Sequence, residues 1–155
     1  MNALARKVGE ALTARGLKLV TAESCTGGWV AMALTAIAGS SDWFERGYVT
    51  YSNEAKREAL GVSADTLARH GAVSEKTARE MAAGALARSH GQVALSITGV
   101  AGPTGGSADK PVGTVCFAWA HGSNILSETK RFDGNRESVR RQSVVHALHG
   151  VLELL

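Results

Sequence analysis

Three strand-like runs, each ending in a polar loop, constrain the fold of this 155-residue chain more than any other feature. The runs are residues 18–22, 48–51 and 92–98, and they are short and rich in residues typical of strands. Segments with helical spacing of apolar residues separate them, and a predicted hairpin of residues 112–120 and 125–132 follows. This order predicts an α/β fold, a three-layer α/β/α sandwich with a mixed, largely parallel sheet and a late antiparallel strand pair.

The length and composition suit a single domain over residues 1–155. Hydrophobic residues make up 45% of the chain and charged residues 20%, which is typical of globular proteins. No apolar run approaches the roughly 20 residues of a membrane span, and the amino terminus lacks the apolar region of a signal peptide. We therefore expect a cytoplasmic protein with no membrane partner.

Charge and cysteine usage argue against two further classes of protein. The net charge is +3 with scattered basic residues, whereas a nucleic-acid-binding domain usually carries a basic stripe. Neither Cys25 nor Cys116 lies in a metal-binding spacing, and the five histidines form no HExxH pattern. We expect no nucleic-acid partner, no metal and no cofactor, and a weakly basic chain suits an anionic small molecule.

The first polar loop, residues 22–28, has the features of a nucleophile turn. A strand delivers Ser24, and Gly27 and Gly28 follow at the start of a predicted helix. Free N–H groups there can stabilise an oxyanion or hold a phosphate. The structural alternative is a plain helix cap in a tight turn. The loop matches neither the GxSxG elbow nor the P-loop, and Cys25 is expected to be a buried, inert thiol.

The second loop places Lys56 near the start of a helix. A lysine close to the positive end of a helix dipole has a lowered pKa and is a candidate base, although a solvent-exposed lysine is the common alternative. Ser52 lies four residues earlier and can face Lys56 on one helical turn. Ser52 is therefore a rival to Ser24 as nucleophile, although it also suits a helix cap.

The third loop, residues 99–110, is rich in glycine, and such a segment can wrap closely around a ligand. A flexible surface loop is the alternative. Arg136 and Arg140 lie four residues apart on the last predicted helix. Two guanidinium groups on one face suit a phosphate, unless they form a solvated basic face. If the strands run parallel, all three loops meet in one crevice, and the combined set suits acyl chemistry on a phosphorylated substrate.

Five ordered motifs resemble the CinA C-terminal domain family, over about residues 4–154. They are AESCTGG at 22–28, YSNEAK at 51–56, HGAVS at 70–74, TGVAGP at 98–103 and KPVGTV at 110–115. The resemblance implies an α/β/α sandwich that deamidates nicotinamide mononucleotide to nicotinic acid mononucleotide and ammonia, a step of pyridine-nucleotide recycling. It also implies a homo-oligomer, and the chain resembles the stand-alone form of the enzyme.

The resemblance also implies a role for each matching residue. Ser24 attacks the carboxamide carbon, Lys56 accepts its proton, and Tyr51 and Thr98 orient these groups. The residues expected to contact the substrate are Thr26, Gly27, Gly28, Ser52, Asn53, Gly99, Ala101, Gly102, Arg136 and Arg140. Backbone N–H groups near residues 26–28 or at Gly99 are expected to hold the oxyanion, and Arg136 or Arg140 with Thr26 the phosphate. The scheme requires no metal and no cofactor.

Two other functions remain open from the sequence. The same loops can form a non-catalytic nucleotide-binding or regulatory module. A nucleotide pyrophosphatase normally needs a carboxylate cluster for Mg²⁺, and Glu23, Asp109 and Asp133 form no evident cluster. The sequence leaves undecided the oligomeric state, the choice between Ser24 and Ser52, the phosphate ligands, the discrimination against free nicotinamide and any role in competence.

Overall fold

The computed structural model describes residues 1–155 as one five-stranded sheet flanked by helices. The strands are β1 (Leu19–Glu23), β2 (Phe44–Val49), β3 (Val93–Gly99), β4 (Thr114–His121) and β5 (Asn124–Arg131). The helices are α1 (Asn2–Ala14), α2 (Trp29–Thr35), α3 (Asn53–Leu60), α4 (Ala64–His70), α5 (Glu75–Ala87) and α6 (Arg136–Leu154), with one 3₁₀ turn at Ser40–Asp42. No helix is both long and apolar enough to span a membrane.

The strand order is β2-β1-β3-β4-β5. β1 pairs in parallel with β2 and β3, whereas β4 pairs antiparallel with β3 and β5. Only β4 therefore runs against the other four strands. The expected mixed, largely parallel sheet with a late antiparallel pair is confirmed.

The strands separate two hydrophobic layers because their side chains alternate between the faces of the sheet. On β4, Val115, Phe117 and Trp119 pack with the layer of α1, α2 and α6. The intervening small residues of β4 face the layer of α5 and are Cys116, Ala118 and Ala120. The three-layer architecture follows from this alternation, and the small residues allow α5 to approach the sheet closely.

The boundaries of β2 differ from the prediction. The strand covers Phe44–Val49, whereas its composition predicts residues 48–51. Glu45 and Gly47 are poor strand formers by propensity, but pairing of β2 with β1 overrides that preference. Tyr51 consequently lies beyond the strand, in the loop that leads to α3.

The carboxyl ends of the three parallel strands meet, as expected. The N–H of Thr50, just after β2, donates to the Glu23 carbonyl at 2.9 Å. The N–H of Ser24, just after β1, donates to the Ile97 carbonyl of β3 at 2.9 Å. These two bonds bring the three polar loops to one edge of the sheet.

Candidate active site

Ser24 and Lys56 meet at this edge although 32 residues separate them. Lys56 Nζ donates to Ser24 Oγ at 3.1 Å and to the Thr50 carbonyl at 2.7 Å. Lys56 is only 2% exposed, so the alternative of a solvated lysine is wrong. No sequence signal indicated Thr50, because it contributes a backbone carbonyl and not a side chain.

Burial, and not the helix dipole, dominates the acid–base behaviour of Lys56. Loss of water around the ammonium group lowers the pKa of Lys56, because desolvation disfavours the charged form. The expected direction of the shift is therefore right, but its main cause differs from the one predicted. A neutral amine in contact with a hydroxyl can accept its proton.

Ser52 does not contact the amine of Lys56. Its Oγ accepts from the N–H of Ala55 at 3.0 Å and caps α3. A capping residue lies outside the helix with its side chain turned to the first amides, so the expected facing of Ser52 and Lys56 is wrong. The cap prediction for Ser52 is confirmed.

Cys25 follows Ser24 directly and is 5% exposed. Burial raises the pKa of the Cys25 thiol to about 12, and the nearby amide and the Arg140 charge oppose this only in part. The thiol is therefore protonated at neutral pH, and since the thiolate is the reactive form, Cys25 behaves as the inert thiol that the sequence predicts.

A cavity of about 310 Å³ opens over Ser24, and we call it the serine pocket. It contains most of the predicted site residues: Ser24, Tyr51, Asn53, Lys56, Thr98, Gly99, Ala101, Gly102 and Arg136. Five further lining residues were not predicted individually, although the glycine-rich loop as a whole was expected to wrap a ligand. They are Ala72 and Val73 before α5, and Val100, Thr104 and Gly105 of that loop. All but Thr104 lack a functional side-chain group, so only their place in a motif or loop marked them in the sequence.

Two predicted orienting residues are themselves held by hydrogen bonds, Thr98 to the segment before α5 and Tyr51 to the start of α6. Thr98 Oγ1 donates to the Ala72 carbonyl at 2.7 Å. The hydroxyl of Tyr51, a residue that is 63% exposed, accepts from Arg136 Nη2 at 3.0 Å. Arg136 Nη1 also donates to the Gly102 carbonyl at 2.8 Å. Arg136 thus joins the Tyr51 loop to the glycine-rich loop at the mouth of the serine pocket.

A second cavity of about 630 Å³ lies beside the first, and we call it the arginine cleft. It is lined by Thr26, Gly27, Gly28, Trp29, Met32, Arg136, Glu137 and Arg140. Arg136 lines both cavities. The structure therefore divides the predicted substrate-binding residues between two cavities.

One carboxylate, Glu137, lines the arginine cleft, but it pairs with neither Arg136 nor Arg140. Arg136 and Arg140 donate only to carbonyl groups and to the Tyr51 hydroxyl. Arg141, the next residue of α6, pairs instead with Glu137 at 2.9 Å. Two guanidinium groups that face neutral acceptors favour an external anion.

Glu23 has a structural role that the sequence did not indicate. It is fully buried, and its Oε1 accepts from Thr26 Oγ1 at 2.6 Å and from the N–H of Val30 at 2.9 Å. Its Oε2 accepts from the N–H of Ala31 at 3.1 Å. The protein's own carboxylate thus occupies the first amides of α2 and the Thr26 hydroxyl. The chain brings no three potential metal ligands together, so the pyrophosphatase alternative gains no geometric support.

The turn after Ser24 leaves other amides free. Gly27 and Gly28 both adopt positive φ, at 60° and 101°, a conformation that favours glycine. The N–H groups of Thr26 and Gly28, in the arginine cleft, donate to no other residue. The same holds in the serine pocket for the N–H groups of Cys25, Ala101 and Gly102. Each cavity is therefore lined by residues whose backbone N–H groups have no partner within the chain.

Comparison with known proteins places the chain in a family. The family model described as CinA C-terminal domain matches residues 1–155. Nicotinamide-nucleotide amidohydrolase PncC of Escherichia coli (strain K12) is 58% identical over 147 residues, which cover 94% of this chain and 88% of that protein. The Pseudomonas putida protein of the same name is 51% identical, with 99% and 96% covered.

A solved structure agrees with these relatives. The competence/damage inducible protein CihA from Agrobacterium tumefaciens superposes with a TM-score of 0.96 at 49% identity. The match covers 99% of this chain and 94% of that one. The resemblance seen in the five sequence motifs is confirmed, and the chain belongs to the CinA C-terminal domain family.

Proposed function

We propose that this chain is an amidohydrolase that converts nicotinamide mononucleotide and water to nicotinic acid mononucleotide and ammonia. The contact between the buried amine of Lys56 and Ser24 Oγ is the observation that carries the proposal. Relatives at 51–58% identity bear the name nicotinamide-nucleotide amidohydrolase. Recycling of pyridine nucleotides is the metabolic role that this reaction would serve.

In the proposed mechanism, Lys56 acts as general base and then as general acid. Its neutral amine takes the proton of Ser24 while Oγ attacks the carboxamide carbon. Collapse of the tetrahedral intermediate breaks the C–N bond, and Lys56 returns the proton to the leaving ammonia. Water then hydrolyses the acyl-serine ester by the same proton transfers, which releases the carboxylic acid and restores Ser24.

In this mechanism, some of the free backbone N–H groups donate to the oxyanion and others donate to the substrate phosphate. We assign the oxyanion to the N–H of Cys25, the residue after the nucleophile, with Ala101 or Gly102 opposite it in the same pocket. Thr26 and Gly28, first expected to hold the oxyanion, line the arginine cleft. We assign them to the phosphate through their backbone N–H groups.

Arg136 and Arg140 complete the phosphate site in this scheme. Both line the arginine cleft, and neither has a carboxylate partner. Thr26 contributes its amide and not its hydroxyl, which donates to Glu23. Tyr51, Asn53 and Gly99 form walls for the pyridine ring, whereas Ser52 supports the site by capping α3.

Ammonia release from nicotinamide mononucleotide tests the proposal directly. Wild-type protein should release ammonia with or without a chelator, and Ser24→Ala should not. Ser143→Ala is the matched control, since it removes another buried serine hydroxyl, one that only bonds the Val139 carbonyl. Activity lost in Ser52→Ala but kept in Ser24→Ala would transfer the nucleophile to Ser52.

If the folded wild type binds the nucleotide without releasing ammonia, the proposed enzyme function is wrong and the non-catalytic binding module takes its place. Several expectations from the sequence stay predictions. They are a single domain over residues 1–155, a cytoplasmic location, a homo-oligomeric assembly, and the lack of nucleic-acid and membrane partners.

A further inference from the structure

The turn that carries Ser24 is held from outside by one side chain of α6. Arg140 Nε donates to the Cys25 carbonyl at 3.0 Å, and Nη2 donates to the Thr26 carbonyl at 3.2 Å. These carbonyls belong to the two residues that directly follow Ser24. Any shift of the Arg140 guanidinium therefore acts on the backbone that positions the proposed nucleophile.

The same guanidinium also lines the arginine cleft. An arginine has five N–H donors in a rigid planar fork, and the turn occupies only two of them. Arg140 forms no ion pair within the chain, and its Cζ lies 5.5 Å from the centroid of the Trp29 ring. Arg140 thus joins the turn on one side and has donors left for an anion on the other.

We propose that Arg140 is a positioning residue that couples phosphate binding in the arginine cleft to the geometry of the Ser24 turn. The inference rests on the proposed deamidation and adds that the substrate phosphate raises kcat as well as affinity. The mononucleotide is then favoured over its phosphate-free analogue in the chemical step itself.

The physical reason lies in how remote binding energy is used. A guanidinium and a phosphate are both charged and can form two parallel hydrogen bonds, so phosphate immobilises the guanidinium more firmly than neutral carbonyls do. Because the Arg140 fork is rigid, fixing it also fixes the carbonyls of Cys25 and Thr26. Ser24 Oγ is then kept within reach of Lys56 Nζ, and binding energy from a non-reacting group lowers the barrier of the reacting one.

The decisive measurement supplies the phosphate-free substrate analogue and inorganic phosphate as separate compounds. Nicotinamide riboside, which lacks the phosphate, is assayed for ammonia release with and without inorganic phosphate, with chloride at equal ionic strength as the control. Phosphate should raise kcat for the riboside by roughly 5-fold to 150-fold, the usual range of coupling between two sites. This comparison uses only wild-type protein, so it does not depend on a variant that folds poorly.

Substitutions at two adjacent arginines locate the coupling. Arg140→Lys keeps the charge but loses the fork, and it should lower kcat for the mononucleotide on the order of 10²-fold, with a smaller change in KM. Arg140→Ala should also abolish activation by phosphate. Arg141→Ala is the matched control, because Arg141 contacts the same Trp29 ring at 5.1 Å but pairs with Glu137. It should retain both turnover and activation.

Three results separate the possible failures. Phosphate that leaves turnover of the riboside unchanged, while wild type deamidates the mononucleotide, would overturn the coupling and keep the proposed function. A folded Arg140→Ala protein with normal kcat and only a raised KM would reduce Arg140 to a simple phosphate ligand. Wild type without activity on the mononucleotide would overturn the proposed function itself.

Discussion

The serine pocket and the arginine cleft share Arg136, yet their basic side chains suit different roles. In the serine pocket, Lys56 is buried and desolvation lowers the pKa of its amine. In the cleft, Arg136 and Arg140 present guanidinium groups, which hold several N–H donors in a fixed planar fork. Burial thus makes one cation a candidate base, whereas residue type keeps the other two as anion ligands.

This difference predicts that the two cavities can be separated by kinetics. Changes in the serine pocket should act on the chemical step, whereas loss of Arg136 should act mainly on substrate binding. Arg140 is the proposed exception, since it contacts the turn as well as the cleft. The predictions below test the separation, beginning with the largest effect.

Replacing Lys56 by methionine should lower the activity more than the other changes considered below. The variant keeps the length of the buried side chain but removes the base, so kcat should fall by roughly 10²–10⁴-fold. Steady-state kinetics on nicotinamide mononucleotide measure this, with KM expected to change little. A Lys56→Met protein with wild-type kcat would exclude the lysine as base.

The same variant has a stability signature. Because the pKa of Lys56 is lowered in the folded state, the unfolded chain binds more protons between that lowered pKa and the ordinary lysine value. Stability of the wild type should therefore rise with pH across this window as the cost of burying the ammonium disappears. Lys56→Met should lack this rise when urea unfolding is followed from neutral to alkaline pH, and parallel curves would contradict the shift.

Arg136→Ala should produce a smaller effect, and mainly on KM. Loss of one charge-assisted hydrogen bond costs about 1.5–3 kcal/mol, which corresponds to a rise in KM of roughly 10-fold to 150-fold for the mononucleotide. The KM for nicotinamide riboside serves as internal control and should change far less. An equal rise for both substrates would mean that Arg136 acts through Tyr51 and Gly102 and not on the phosphate.

Treatment with a thiol reagent should have the smallest effect, because it should not reach Cys25. Since burial raises the pKa of the thiol to about 12, iodoacetamide at neutral pH should leave the activity unchanged. Mass spectrometry of the treated protein checks that Cys25 stays unmodified. Rapid inactivation with a label on Cys25 would show a reactive thiolate and reopen its candidacy as nucleophile.

The features of the fold that can be predicted are those that depend on residues close together in the sequence. Ser52 caps α3 as predicted, because a cap depends on the few amides beside it. The hairpin of β4 and β5 also follows from local alternation. The bounds of β2 were predicted wrongly, since its pairing with β1 is a non-local interaction that overrides the weak strand propensity of Glu45 and Gly47.

The residues of the candidate site also differ in whether local sequence or non-local packing reveals them. Ser24, Lys56 and the paired arginines stand out in the sequence because each combines a reactive residue type with an unusual position. Glu23 does not stand out, since only folding brings it against Thr26 and the first amides of α2. The Thr50 carbonyl that binds Lys56 Nζ belongs to the same class.

By itself, the sequence determined the order of strands and helices, the residues able to do chemistry and the family, because these depend on local composition and on ordered motifs. Only the tertiary structure decided that Ser24 and not Ser52 contacts Lys56, that the lysine is buried, and that the predicted substrate-binding residues line two cavities joined by Arg136. The reason is physical: a contact across 32 residues and the exclusion of water from an amine arise only when separate strands and helices pack together.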